Sequence, residues 1–116
     1  MKPCEKEGGE KVKITSEYAA GRLVMHLSGE LDHHSARDAM RGIESALDEY
    51  LPRDTALDLS GVTFMDSSGI ALMLKVERRM RETGGRCTVE NPSRQPMRVI
   101  DASGIDRLIP VKAHRA

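Results

Sequence analysis

The sequence predicts an α/β fold with a mixed, mainly parallel β-sheet, in the order β-β-α-β-α-β-α-β. Segments with the two-residue alternation of strands alternate with segments of helical spacing, and the first two strands follow each other across a short turn. Strands separated by helices need crossover connections, which make them parallel, whereas an initial hairpin is antiparallel. A chain of 116 residues has the length of a single domain.

The amino-terminal region predicts a leader followed by a hairpin. Residues 1–11 contain paired glycines and alternating charges, and we expect a flexible leader there, with one domain over residues 12–116. Residues 12–18 and 22–28 show strand alternation. The small residues 19–21 between them predict the turn of the hairpin.

The first helix is predicted after a loop at residues 29–34. Its apolar residues recur at helical spacing and are Ala36, Ala39, Met40, Ile43, Ala46, Leu47 and Tyr50. Either Asp32 or Ser35 is expected to cap it, and Ser35 with Asp38 three positions later resembles a capping box. Pro52 is expected to end it.

The second half of the chain predicts three strands and two helices. The predicted strands cover residues 55–59, 86–90 and 108–111. A loop at residues 60–66 leads into a helix over residues 67–82, which ends at a glycine pair. A shorter third helix follows residues 91–93, has Pro96 in its first turn, and ends at residues 103–104.

The composition excludes several classes of protein. Lys+Arg and Asp+Glu are both 18, and this zero balance argues against a dedicated nucleic-acid binder. We find no apolar run of membrane-spanning length, and residues 1–13 are too polar for a secretory signal. The two cysteines, Cys4 and Cys87, are too few for a disulfide framework. Free thiols in a reducing, cytoplasmic compartment are therefore expected.

Residues 57–70 are the most informative segment for function. They predict a strand, a loop and a helix start that carries Asp66, Ser67, Ser68 and Gly69. Loops at the carboxyl ends of parallel strands are common positions for binding sites, and a helix N-terminus favours a phosphate. The alternative is that Asp66 or Ser67 only caps the helix, and the physical argument alone favours this capping role.

Enzymatic and cofactor sites are not predicted. The glycine that would precede Ser67 in a Gly-x-Ser-x-Gly nucleophile motif is missing, and no catalytic residue is assigned. Glu30, Asp32, His33 and His34 cluster in one loop but lack the spacing of a metal motif. Neither a Walker A string nor Gly-x-Gly-x-x-Gly is present, so neither a metal nor a cofactor is expected.

The second helix carries more apolar residues than one buried stripe needs. Ile70 and Leu74 lie four residues apart and predict an exposed patch beside Ser67, unless the third helix covers them. Further along, a run of basic residues interspersed with acidic ones favours a solvated face over a docking site. Its basic members are Lys75, Arg78, Arg79 and Arg81.

Several strings in the chain resemble one family. They are SGELDHH at residues 28–34, LDLSGV at 57–62 leading into FMDSSGI at 64–70, the glycine pair 84–85, and DASGI at 101–105. In this order they resemble the STAS domain family of anti-sigma factor antagonists, over about residues 12–111. The chain departs from many members by its longer leader and by ending soon after the last predicted strand, where they continue into a further helix.

The resemblance implies a STAS fold and a partner switch without catalytic activity. Members bind an anti-sigma factor that is also a serine kinase with a histidine-kinase-like ATPase fold, and this binding releases the sigma factor in sporulation or stress responses. Phosphorylation, here of Ser67, ends the binding, and a PP2C-type phosphatase reverses it. The residues that the resemblance and the apolar pattern assign to partner binding are Asp32, His33, Asp66, Ser67, Ser68, Gly69, Ile70 and Leu74.

Other functions stay open at this point. The chain is alternatively a STAS module that senses a small ligand or nucleotide, or one that regulates an output other than a sigma factor. A weak nucleotide hydrolase would show turnover that Ser67→Ala or Asp66→Asn abolishes. Ser68 and Ser67 are both chemically suitable as the phosphate acceptor, although the resemblance indicates Ser67.

Overall fold

The computed structural model describes residues 4–7 and 12–113. The strands are β1 Cys4–Glu7, β2 Val12–Ala19, β3 Arg22–Leu31, β4 Asp54–Met65, β5 Arg86–Glu90 and β6 Val111–Lys112. The helices are α1 His33–Tyr50, α2 Ser67–Glu82 and α3 Arg94–Ser103, followed by a 3₁₀ turn at Ile105–Arg107. Over residues 12–113 this order confirms the predicted alternation of strands and helices.

The six strands form one mixed sheet in the order β1-β2-β3-β4-β5-β6. Both β1–β2 and β2–β3 are antiparallel, and the pairs from β3 to β6 are parallel. At the β2–β3 turn, Ala20 and Gly21 have φ values of 53° and 82°. Two successive positive φ values are typical of the tight turn that fits strand twist, so the predicted hairpin is confirmed.

The apolar core lies on the side of the sheet that the helices cover. Leu23, Met25 and Leu27 alternate along β3 and are buried in the same cluster as Ile43 of α1 and Met73 of α2. The period of two in the strands and the helical spacing bring these faces together. Two layers around one core therefore position the ends of the strands and the starts of the helices.

The opposite side of the sheet carries a polar cluster at its centre. His26 Nδ1 lies 2.8 Å from Asp58 Oδ2, and His26 Nε2 lies 3.0 Å from Glu17 Oε2. Burial alone raises the pKa of the Asp58 carboxyl, but hydrogen bonds from Ser60 and His26, with the positive charge of His26, outweigh it. The pKa of Asp58 is therefore below its ordinary value.

Strand β4 is longer than predicted, and the expected loop at residues 60–66 is wrong. Ser60 and Gly61 are turn-forming residues, but here they lie beside an irregularity in the β3–β4 register, after which pairing continues to Leu31–Met65. A Cβ atom on Gly61 would lie 2.7 Å from the Cβ of Ser28. Glycine therefore permits the close approach that keeps the two strands paired.

The two ends of the described chain also differ from prediction. Strand β1 pairs with β2 at Cys4–Glu7, inside the predicted flexible leader, while residues 1–3 and 8–11 of the leader lie outside the described residues. The last strand is Val111–Lys112 rather than 108–111, because the 3₁₀ turn and the buried Ile109 precede it. Neither difference changes the edge where β3 and β4 end.

Candidate functional site

Two parallel strands end side by side at the start of the site. The last residues of β3 and β4, Leu31 and Met65, are partners in the sheet, and neighbouring strands lie about 4.8 Å apart. The next residues, Asp32 and Asp66, cap α1 and α2. The Asp66 N–H also donates to the Leu31 carbonyl at 3.4 Å. Two carboxylates and two helix N-termini therefore meet at one edge of the sheet.

Asp32 caps α1 through a reciprocal arrangement. Its Oδ1 accepts hydrogen bonds from the N–H groups of His34 and Ser35, both at 3.0 Å, and its own N–H donates to Ser35 Oγ at 3.0 Å. Of the two predicted caps, Asp32 is therefore confirmed, and Ser35 is its partner in the capping box. The predicted Ser35–Asp38 box is wrong, and Asp38 lies 3.8 Å from Arg41 instead.

At the start of α2 the cap and the adjacent hydroxyl have separate environments. Asp66 Oδ1 accepts a hydrogen bond from the Ser68 N–H at 2.8 Å and so satisfies one of the free donors of the helix. Ser67 is the first helical residue and is exposed. Its hydroxyl makes no hydrogen bond within the described part of the chain, so capping by Asp66 leaves the Ser67 hydroxyl accessible.

Gly69 allows α2 to begin close to the ends of the strands. A Cβ atom at this position would overlap the Met65 side chain and lie 3.3 Å from Leu31 Cδ2. Any larger residue would have to displace α2 or the side chain of Met65, because Met65 and Leu31 are packed in the core. The glycine of the DSSG string therefore sets the position of Ser67 relative to the sheet.

Helix α3 holds the end of β4 through side chains that sequence reasoning missed. Gln95 Oε1 accepts from the Met65 N–H at 2.7 Å, and Gln95 Nε2 donates to the Met65 carbonyl at 2.9 Å. Ser93 Oγ donates to the Val62 carbonyl at 2.6 Å. The side-chain amide of Gln95 thus bonds to both backbone groups of Met65, as a neighbouring strand would, one residue before Asp66. Since Gln95 and Met65 lie 30 positions apart, no local motif could have indicated this contact.

The predicted apolar patch beside Ser67 is formed only in part. Leu74 is 42% exposed, whereas Ile70 is half-buried against the core. Phe64, the one phenylalanine of the chain, is 40% exposed on the side of β4 opposite to Met65. Its alternation with the buried Met65 is the signal that would have placed it at the surface.

The two histidines at the start of α1 contact each other. The rings of His33 and His34 lie 5.6 Å apart, edge to face, and both residues are exposed. Across residues 12–113, no three or more His, Cys, Asp or Glu side chains are arranged to hold a metal ion. In the same range, no helix is long and apolar enough to cross a membrane.

The structure places the eight predicted partner-binding residues at one edge of the molecule. Asp32 and His33 begin α1, residues 66–70 begin α2, and Leu74 lies one turn further along α2. Their side chains differ in exposure, since Gly69 is buried and Ser67 is exposed. Their role in binding a partner stays a prediction.

The fold and this edge define a known class. Residues 12–116 match the STAS domain family, and the chain belongs to that family. It is similar to the anti-sigma F factor antagonist of Paenibacillus polymyxa, with 30% identity over 100 residues that span 86% of each chain. The corresponding protein of Lysinibacillus sphaericus is 35% identical over 83 residues, which span 72% of this chain and 71% of that one.

Solved structures show the same fold. The unphosphorylated form of the anti-sigma factor antagonist SpoIIAA matches with a TM-score of 0.72 and 28% identity, over 84% of this chain and 86% of that chain. An anti-sigma factor antagonist from Mycobacterium paratuberculosis matches with a TM-score of 0.80 and 23% identity, over 89% of this chain and 86% of that one. The predicted STAS fold is therefore confirmed.

Proposed function

We propose that the chain is an anti-sigma factor antagonist that works as a phosphorylation-controlled partner switch. The unphosphorylated form binds an anti-sigma factor serine kinase with a histidine-kinase-like ATPase fold, and so frees a sigma factor in the cytoplasm. Phosphorylation of Ser67 ends this binding, and a PP2C-type phosphatase reverses it. The relatives named as anti-sigma F factor antagonists support the role.

One structural observation carries the proposal for Ser67. Its hydroxyl is exposed at the first position of α2, while Asp66 performs the capping. A kinase can therefore modify Ser67 without breaking the start of the helix. Ser68 is less exposed, and its backbone N–H is held by Asp66, which favours Ser67 over Ser68 as the acceptor.

The charge of a phosphate is large enough to control binding without refolding the domain. A phosphoserine adds about −1.5 to −2 charges at neutral pH. In the free protein the helix N-terminus stabilises it by about 0.3–1 kcal/mol, with water around it. In a complex it would be desolvated beside Asp66, and a penalty of about 3 kcal/mol weakens binding about a hundredfold. The repulsion in the complex therefore outweighs the attraction of the helix.

A capture experiment tests this proposal. Wild type, Ser67→Ala and Ser67→Glu serve as baits in native lysate with and without ATP, and Ser68→Ala is the matched control. We expect an ATPase-fold kinase on wild type, Ser67→Ala and Ser68→Ala, its loss on Ser67→Glu, and phosphate on Ser67 by mass spectrometry. Equal capture of all four baits with no phosphoserine would refute the switch and favour ligand sensing.

A further inference from the structure

An open cleft with a volume of ≈ 510 Å³ lies between α1 and α2. It begins at the candidate site, where His33 and Ser68 line it, and it extends to Glu44 on α1 and Lys75 on α2. The rise of α1 over this stretch is about 16 Å, at about 1.5 Å per residue. The length of the cleft therefore matches about three turns of a helix lying along it, and the cleft is continuous with the surface around Ser67.

The cleft has an apolar floor and basic walls. Met40 and Leu72, which are 7% and 3% exposed, form the floor. Arg37 and Arg41 line it from α1, and Lys75 lines it from α2. We call this surface the basic cleft. An apolar floor with charged walls is the arrangement that receives an amphipathic helix in a groove.

The acidic side chains of α2 do not neutralise the positive charge of the basic cleft, because they pair with arginines of α2. The three arginines of α2 each have a carboxylate partner: Arg78–Glu82 at 3.5 Å, Arg79–Asp48 at 2.7 Å and Arg81–Glu77 at 3.4 Å. Among residues 12–113, no ion pair joins Lys75 or Arg37 to an acidic side chain. The predicted solvated face therefore describes the three ion-paired arginines of α2, but it describes Lys75 less well because Lys75 lines the basic cleft.

Two acidic side chains lie near the basic cleft, and each makes only a long contact with an arginine. Glu44 is the one carboxylate among its described lining residues, and Glu44 Oε2 lies 3.7 Å from Arg79 Nη1. Asp38 lies 3.8 Å from Arg41, a long and exposed contact that is worth little. The chain as a whole has no net charge, so the basic cleft is a local concentration of positive charge.

We propose that the basic cleft receives an acidic, amphipathic helix of the partner kinase. The apolar side of that helix packs on Met40 and Leu72, and its carboxylates face Arg37, Arg41 and Lys75. This inference rests on the proposed function, because the cleft opens beside Ser67. It adds a contact surface that determines which kinase binds. This surface shares His33 and Ser68 with the predicted partner-binding residues and otherwise lies outside them.

Charge reversal tests the proposal with purified proteins. The probe is the anti-sigma factor kinase encoded in the same genome. Calorimetry measures the Kd of its complex with wild type and with Arg37→Glu/Lys75→Glu. The matched control is Arg98→Glu/Arg107→Glu, which reverses the charge of two exposed arginines outside the cleft. We expect the double variant in the cleft to bind at least about tenfold more weakly and the control to bind like wild type, because cleft charges face the partner.

Two further readouts separate docking from folding and from the switch itself. Thermal unfolding should be unchanged in all variants, since the substituted side chains are exposed. The double variant should also lose most of the salt dependence of Kd, because salt screens the removed attraction. Replacing acidic residues of the kinase helix by lysine should restore binding to the double variant.

The outcomes distinguish this inference from the function on which it rests. If the double variant in the cleft binds the kinase with the same Kd as wild type, the proposed role of the basic cleft is refuted, while the switch at Ser67 stands. An equal loss of binding in Arg98→Glu/Arg107→Glu also overturns it, because the effect is then one of net charge. If the kinase does not bind wild type at all, the proposed function fails first, and the inference fails with it.

Discussion

Asp66 and Ser67 are adjacent residues with different structural roles at the start of α2. Asp66 satisfies the helix by accepting the Ser68 N–H, and Ser67 keeps an exposed hydroxyl at the first helical position. Both were candidate caps from the sequence, because serine and aspartate are equally common there. Only the geometry of the turn, with Asp66 in an extended conformation before α2, assigns the cap to Asp66.

The Asp58 carboxyl makes stability depend on pH. Because its pKa is lowered in the folded state, its contribution is fully present above the unfolded value of about 3.9. That contribution is lost as the pH falls through the lower, folded value. We predict that Asp58→Asn reduces stability at pH 7 by about 1 kcal/mol, since hydrogen bonds to His26 and Ser60 are weakened.

Urea unfolding at a series of pH values from neutral to acid measures this effect. The difference in unfolding free energy between wild type and Asp58→Asn should shrink as the pH falls through the acid range. Asp101→Asn, at an exposed position of α3, is the control and should track wild type. A difference that stays constant with pH would show that ionisation of Asp58 does not stabilise the fold.

Among the elements, α3 supports the edge of the sheet that carries Ser67. Gln95 and Ser93 bind the backbone of β4 at Met65 and Val62, immediately before the cap of α2. The strand end is thus held by β3 on one side and by a side chain on the other. The strand that leads into Asp66 and Ser67 is therefore held by side chains from the α3 region.

Gln95→Ala should loosen this edge. The variant leaves the Met65 N–H and carbonyl without their side-chain partner, which costs about 1–3 kcal/mol of unfolding free energy. We expect faster hydrogen exchange at residues 65–68 and slower phosphorylation of Ser67 by the kinase. Arg94→Ala, at an exposed neighbouring position, should change neither. Wild-type exchange rates in Gln95→Ala would contradict a positioning role.

Helices and strands are predicted correctly where several local sequence signals agree, and incorrectly where pairing between strands determines the structure. Helix α2 was predicted over its observed residues, because apolar spacing, a polar cap and a glycine pair coincide. The end of β4 was misassigned because Ser60 and Gly61 favour a turn locally, whereas pairing with β3 keeps them in the sheet. Strand β1 also depends on pairing, since its own sequence is charged and has no apolar alternation.

At the scale of the whole molecule, charge is distributed unevenly over a neutral chain. Two capping carboxylates meet at the carboxyl edge of β3 and β4, and the basic cleft runs from that edge between α1 and α2. The strings at residues 28–34 and 64–70 predict the residues of the proposed switch. It could not predict the basic cleft, because Arg37 and Lys75 come together only when the two helices pack.

The affinity of the purified, genome-encoded kinase for two forms of this protein shows whether Ser67 controls binding. Calorimetry would compare the unphosphorylated protein with protein carrying phosphate on Ser67 alone, verified by mass spectrometry. We predict that the phosphate raises Kd about a hundredfold, with the fold unchanged by circular dichroism. Equal Kd values for the two forms would rule out the proposed switch, because the charge at Ser67 would then not control binding of the partner.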